Sequence, residues 1–258
     1  MIAITRPVSR SIDRCELTHL ARTPIDYDNA ARQHAHYEKA LRFLGVELVR
    51  LEPLDALPDA VFVEDTAVVF DELAVLTRPG AESRRAEVDA MEPVLAPYRR
   101  IERITAPATL DGGDVLRIGR KVWVGISGRT NQEGVDQLRA ILAPFGYEVQ
   151  CLDVFGCLHL KSAVTLVRET PQPLLLLNPA WVDPSAFAPM ESIAVAPEEP
   201  MAANALLAGD AVVFPSEFPL TVQRLRERGL RVLEVEASEL AKAEGGVTCC
   251  SLLLDRRD

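Results

Sequence analysis

The sequence predicts an α/β fold of five repeats arranged radially, and three observations carry that prediction. β-Hairpin patterns start near Val61, Asp114, Leu160, Ala203 and Gly246, about 45 to 50 residues apart, the spacing of a repeat array. A helical pattern and a further strand follow the hairpins, so the unit reads ββαβ. The last unit is short of strands, and the N-terminal run Ile2 to Thr5 is placed to complete it, which closes a ring. No linker rich in Gly, Ser or Pro divides the 258 residues, so residues 1–258 read as one catalytic domain.

In chain order, Ile2 to Thr5 is a short strand. Arg6 to Pro24 is polar, turn-prone and without a period, the profile of a functional loop over a site. Asp28 is placed to cap a helix reaching about Leu44, whose apolar side carries Ala30, Ala31, Tyr37, Ala40, Leu41 and Leu44. Gly45 ends that helix before a strand from Val46 to Leu51. Val61 to Phe70 and Leu73 to Thr77 read as paired strands, Ser83 to Leu95 as a helix and Ile101 to Thr105 as a strand. The same order returns with strands at Asp114 to Ile118 and Val122 to Ile126, a helix from Thr130 to Leu142 and a strand from Tyr147 to Leu152. A third round has strands at Leu160 to Val167 and Leu174 to Leu177, with a weak helical pattern at Ala180 to Phe187. The fourth has Ala203 to Ala208 and Ala211 to Phe214 about a Gly209-Asp210 turn, then a helix from Leu220 to Arg228 and a strand from Arg231 to Val235. Gly246 to Leu254 reads as the last strand.

A net charge of −10 argues against nucleic acid or an anionic membrane surface as partner, since both require clustered Lys and Arg. The N-terminus lacks the basic and apolar regions of a secretory signal, and no apolar run is long enough to span a bilayer, so a cytoplasmic protein is expected. Five cysteines, odd in number and irregularly spaced, suit free thiols better than a disulfide framework. Without a C-x-x-C pair, no structural zinc site is expected. Oligomeric state is left open, a homodimer included.

The chemistry-bearing residues fall at equivalent ends of the repeats. Glu64-Asp65 interrupts an apolar strand, Asp111-Gly112-Gly113-Asp114 opens the second hairpin, His159 precedes the third, and Cys249 follows Gly245-Gly246 at the last. Each has an ordinary alternative. Adjacent acids are usually a solvated strand end, aspartates beside glycines are turn formers, a histidine between leucines is more often a half-buried core residue, and free cysteine is among the most buried residue types. In a radial array these positions converge on a central polar pore, and a thiol, an imidazole and carboxylates meeting there form a candidate catalytic group.

Six segments, Leu57–Asp65, Thr77–Arg85, Leu110–Asp114, Arg129–Asn131, Leu158–Ser162 and Thr248–Ser251, together resemble the dimethylarginine dimethylaminohydrolase family of guanidine-modifying enzymes, in order and across nearly the whole chain. The resemblance implies a five-bladed α/β propeller, the pentein fold. It implies hydrolysis of Nω,Nω-dimethyl-L-arginine and Nω-methyl-L-arginine to L-citrulline and the amine, without cofactor or metal. Cys249 is then the nucleophile, His159 the general acid and base, and Asp111 the acid that orients the imidazole, with Asp114 as the alternative. Asp65, supported by Glu64, would hold the guanidinium. Asp59 would bind the α-amino end and Arg84 and Arg129 the carboxylate end, with Leu17 in a lid loop and the Ala243 backbone lining the pocket.

Two readings compete. Arginine deiminases share the thiol, the histidine and the Gly-Gly motif, but an aspartate typically stands two positions after their histidine, where this chain has Lys161. A cationic amino-acid binding protein would need the same pocket, although all three catalytic positions are filled here. Strand alternation predicts that Cys249 and Cys250 point to opposite faces, Cys250 into the core.

Overall fold

The computed structural model of the chain describes residues 1–256. Five three-stranded sheets stand around a central pore, each with an antiparallel inner hairpin and a third strand parallel to the middle one. The first blade holds β1 (Ile2–Thr5), α1 (Tyr27–Phe43) and β2 (Glu47–Arg50). The second holds β3 (Ala67–Val69), β4 (Leu73–Leu76), the single turn α2 (Glu92–Leu95) and β5 (Arg100–Arg103). The third holds β6 (Val115–Ile118), β7 (Lys121–Ile126), α3 (Gln132–Leu142) and β8 (Glu148–Asp153). The fourth is entered by α4 (Leu160–Ala163) and holds β9 (Val164–Arg168), β10 (Leu174–Leu177) and β11 (Glu191–Ala194). The fifth holds β12 (Leu206–Ala208), β13 (Ala211–Pro215), α5 (Pro219–Glu227) and β14 (Arg231–Val235). After α6 (Ser238–Ala241), β15 (Leu252–Leu254) pairs antiparallel with β1 and completes the first blade, joining the two ends of the ring.

Burial explains the sequence pattern. β4 and β10 are covered on both faces and read as unbroken apolar runs, whereas the outer strands β2, β5 and β11 alternate or are largely exposed. Five apolar clusters lie one between each pair of neighbouring blades, as where Phe70, Leu73 and Val75 meet Val115, Val122 and the Val135–Leu138 face of α3. Removing these side chains from water, at roughly 25 cal/mol per Å² of apolar surface, drives the blades together. Among the described residues, no helix is long and apolar enough to cross a membrane.

Several expected elements differ in detail. Asp26, not Asp28, caps α1, accepting the Asn29 N–H. The expected helix at Ser83 to Leu95 is two 3₁₀ segments, Glu82–Glu87 and Asp89–Met91, followed by α2. Pro93 sits at its start, and a proline inside a continuous helix would lose a hydrogen bond and clash with the carbonyl four residues back. Ala180 to Phe187 is only a 3₁₀ turn, Pro184–Phe187, and β11 after it was not expected.

The largest difference recurs at every blade. The expected inner strands beginning at Val61, Asp114 and Leu160 meet about one helical turn and those at Ala203 and Gly246 a non-helical turn, and strand geometry follows only afterwards. These turns aim backbone and polar side chains at the pore, so two of them must approach closely. A Cβ on Gly112 would lie 2.0 Å from the Glu64 carbonyl oxygen, and one on Gly113 would lie 2.6 Å from His159 Nδ1 and 2.8 Å from Asp65 Oδ1. Gly112→Ala should therefore destabilise the protein by about 3 kcal/mol in chemical denaturation, because backbone has to move, whereas Gly128→Ala, with nothing near its Cβ position, should stay close to wild type.

Candidate active site

His159 precedes the single-turn helix α4 in an extended conformation, which throws its ring back towards the pore. Its Nε2 lies 3.0 Å from Asp111 Oδ2 and its Nδ1 lies 3.8 Å from Asp65 Oδ1. Asp111 is itself fixed: its Oδ1 accepts the Gly80 N–H at 2.9 Å, and its backbone N–H donates to Thr130 Oγ1. Asp114 does not reach the ring. It accepts the Leu160 N–H at 2.9 Å and the hydroxyls of Ser127 and Thr130, so it anchors the start of α4 and, through it, the histidine's backbone.

Asp65 faces the imidazole from the 3₁₀ turn Val63–Thr66, accepting the Gly113 N–H at 3.0 Å and the Arg84 guanidinium at 2.5 Å. Arg84 is held in turn by both oxygens of Glu87, at 3.2 and 2.8 Å, and by the Phe62 carbonyl at 3.0 Å.

Cys249 Sγ accepts the Gly246 N–H at 3.3 Å. It shares one cavity with Asp59, Asp65, Arg84, Arg129, His159 and the Ala243 segment, walled also by Phe62, Leu158 and Gly245. The vicinal Cys250 lines a different cavity, with His34 and Tyr37. The two thiols thus part as expected, but because both lie on the turn before β15 and not on a strand.

Two expected binding residues sit elsewhere. Glu64 turns away into the pore, giving one oxygen to Lys161 Nζ at 2.6 Å and the other to Thr248 Oγ1 at 2.7 Å, and it lines the cavity bounded by the inner strands. A one-residue step along a helical turn rotates a side chain by roughly 100°, so Glu64 and Asp65 cannot face the same space. Leu17 packs half-buried against the apolar cluster under α1, and Glu16 rather than Leu17 borders the catalytic cavity. Loop 15–26 has no helix or strand. It is tied to Asp59, which accepts the Glu16 N–H at 3.1 Å, and to Arg129, which donates to Thr18 Oγ1 at 3.1 Å. Sequence reasoning missed Glu87, Thr130 and Ser127, which hold the charged groups and the backbone beside them and carry no pattern of their own.

The electrostatics follow from burial. Dehydration alone would lower the His159 pKa, but the carboxylates of Asp65, Asp114 and Asp111 outweigh it and hold the imidazolium up to about 9. Burial would raise Asp65, yet His159 and Arg84 bring it to about 2. Burial, with Glu64 and Asp65 nearby, pushes the Cys249 thiol up to about 12. The unliganded site is therefore a neutral thiol beside a charged imidazolium. Asp65, Asp111 and His159 bring one ligand atom each within 4.8 Å of one another, a grouping that could hold a metal ion.

The chain and its five-bladed fold are similar to known proteins. The N(G),N(G)-dimethylarginine dimethylaminohydrolase of Pseudomonas aeruginosa is 36% identical over 96% of this chain and 97% of its own length. That of Streptomyces coelicolor is 40% identical over 98% of this chain and 96% of its own. The chain belongs to the dimethylarginine dimethylaminohydrolase family. The arginine deiminase family model matches residues 53–146, the stretch that carries Asp59, Asp65, Arg84 and Asp111. A cysteine-to-serine variant of the Pseudomonas aeruginosa dimethylarginine dimethylaminohydrolase, solved with citrulline, superposes with a TM-score of 0.92 at 35% identity, covering 97% of this chain and 98% of that one. The N-terminal domain of a cyanobacterial arginine dihydrolase, at 19% identity and TM-score 0.85 over 97% of both chains, shares the fold.

Family membership leaves the linkage between site charge and stability to be measured. Because the folded pKa of His159 lies above its unfolded value of 6.5, its charge stabilises the fold fully below about pH 6.5, and that stability is lost as pH rises through about 9. Unfolding free energy should fall over that window in the wild type, and His159→Asn should lose that part of the pH dependence.

Proposed function

We propose that the protein hydrolyses Nω-methylated L-arginines to L-citrulline and the corresponding methylamine through a covalent Cys249 thiouronium, as one catalytic unit without a cofactor. The observation that carries the reading is the shared cavity in which the Cys249 thiol, the His159 imidazolium and the Asp65 carboxylate meet, in a chain belonging to this family.

A guanidinium is a weak electrophile, so the reaction needs a strong nucleophile and a fixed orientation of the planar cation. Asp65 supplies the negative charge that orients it, and Arg84 and Glu87 keep Asp65 in place. Binding a cation beside Cys249 opposes the carboxylates that hold the thiol protonated, so the thiol proton passes to solvent and the thiolate attacks the guanidinium carbon. His159, already charged, protonates the departing amine as the carbon–nitrogen bond breaks. The neutral ring then takes a proton from water, whose oxygen attacks the thiouronium carbon, and the thiolate leaves as citrulline forms. Asp111 holds Nε2 throughout, so Nδ1 faces the cavity. Asp59 and Arg129 serve the substrate's α-amino and carboxylate ends, with Arg84 contributing to the latter.

The arginine deiminase match over residues 53–146 supports unmethylated arginine as the second reading. Citrulline release measured side by side from asymmetric dimethylarginine, monomethylarginine and arginine separates the two. Methylated substrates should be preferred, arginine preference would select the deiminase reading, and no release would leave a binding protein.

Cys249→Ser should lower turnover at least about 10⁴-fold, whereas Cys250→Ser should keep it. The reverse pattern would overturn the nucleophile assignment. In the free protein, the 240 nm thiolate absorbance assigned to Cys249 by difference from Cys249→Ser should be absent up to pH 9 and appear at lower pH with millimolar guanidinium ion. The same titration with and without that cation would contradict substrate-assisted ionisation.

A further inference from the structure

Glu244 lies five residues before Cys249 and is, among the described residues, the non-glycine with a left-handed backbone, at φ 59°. That conformation costs an L-residue with a Cβ roughly 1 kcal/mol or more, so something must hold it. Its carboxylate accepts three consecutive amides of loop 15–26: Thr18 N–H at 3.0 Å through one oxygen, and His19 and Leu20 N–H at 2.5 Å each through the other. Successive amides turned towards one anion form a concave site for negative charge, here filled by the protein's own side chain.

The segment that carries Glu244 is rigid. Gly245 N–H donates to the Leu240 carbonyl at 3.0 Å, and Gly245 presses against Phe62 so closely that a Cβ would lie 2.2 Å from the ring. Glu244 also borders both the catalytic cavity and a larger apolar cavity beside it, which His19 and Leu20 roof.

The other tethers of residues 16–20 differ in kind, while Lys242 Nζ on the Pro24 carbonyl and Glu239 on the Asp26 N–H hold the far end of the loop. Asp59 holds the Glu16 N–H and Arg129 holds Thr18 Oγ1, yet these two groups are the ones assigned above to the substrate's ends. Substrate and loop compete for them. The hydrogen bonds of the Glu244 carboxylate go to loop amides, and no role at the substrate's ends is assigned to it. Ser83, which donates to Glu16 Oε1 at 2.5 Å, is exposed along with its bond and adds little against water.

We propose that Glu244 is the latch of the loop: a positioning residue that keeps residues 16–20 closed over the cavity when Asp59 and Arg129 turn to substrate. The proposal rests on the functional reading above for which groups bind substrate, and its test has one arm that does not. Glu244→Gln keeps the shape but turns a donor towards the loop amides, and Glu244→Gly removes the clasp while relieving the backbone. In limited trypsin digestion without substrate, cleavage at Arg22–Thr23 should accelerate at least about fivefold in both variants, with thermal midpoints within a few degrees of wild type. With asymmetric dimethylarginine, KM should rise about tenfold while kcat changes less than about threefold. Cleavage at the wild-type rate in both variants, accelerated cleavage with unchanged KM, or a collapsed thermal midpoint in both would overturn the latch. Should the wild type release no citrulline from any guanidine, the functional reading fails, and the digestion still decides whether Glu244 holds the loop.

Discussion

At the mouth of the pore an imidazolium and a guanidinium, those of His159 and Arg84, are buried among the carboxylates of Asp65, Asp111, Asp114 and Glu87. Unpaired, any one of these charges would be expelled from the interior or neutralised. Paired, they constrain one another. Asp65 must reach both His159 and Arg84, Asp111 must reach the far side of the ring, and every backbone between them must come close enough to allow it. The missing side chains of Gly112 and Gly113 answer that requirement, since a Cβ at either would strike the Glu64 carbonyl or the His159 ring. Burial, with Glu64 and Asp65 nearby, keeps Cys249 protonated, while Asp65, Asp114 and Asp111 outweigh burial to keep His159 charged.

The pore has two ends with different chemistry. On one side of the helical turns lies the thiol cavity. On the other, Glu64, Lys161, Thr248 and Asn204 are joined by hydrogen bonds among the inner strands. The same set reaches the Cys249 turn twice: Thr248 adjoins Cys249, and the Glu64 N–H donates to the Cys249 carbonyl. Lys161, at the position where the deiminases typically carry an acid, therefore acts from behind the thiol, where its charge partly offsets Glu64 and lowers the thiol pKa. It does not line the cavity that holds the thiol.

Loop 15–26 and the segment 243–249 meet across the cavity, and each helps fix the other. Three loop amides stabilise the Glu244 carboxylate, and Glu244 holds a backbone that leads through Gly245 and Gly246 to Cys249. Access to the site and placement of the Cys249 thiol are thereby properties of one structure.

The five-fold plan was legible because it is periodic: buried middle strands such as Leu174–Leu177 are apolar runs whatever surrounds them, and their spacing repeats. The strand ends were not legible, because a helical turn of four residues, such as Val63–Thr66, has too few positions to show a period against the apolar run it interrupts. Residue types told which side chains could do chemistry: Cys249, His159 and Asp65 are read from the sequence and share a cavity. Which neighbour each one faces was decided by the fold. Asp111 and Asp114 are the same residue three positions apart, and only the tertiary structure sets the first on the imidazole and the second on the helix start. Glu64 and Asp65 are adjacent acids, and one step of a turn sends them to opposite ends of the pore. The sequence alone determined the repeat and its inventory of reactive groups, since these depend on local pattern and residue chemistry. Direction and pairing came from contacts between residues far apart in the chain, where close packing at the pore limits which partners each charge can reach.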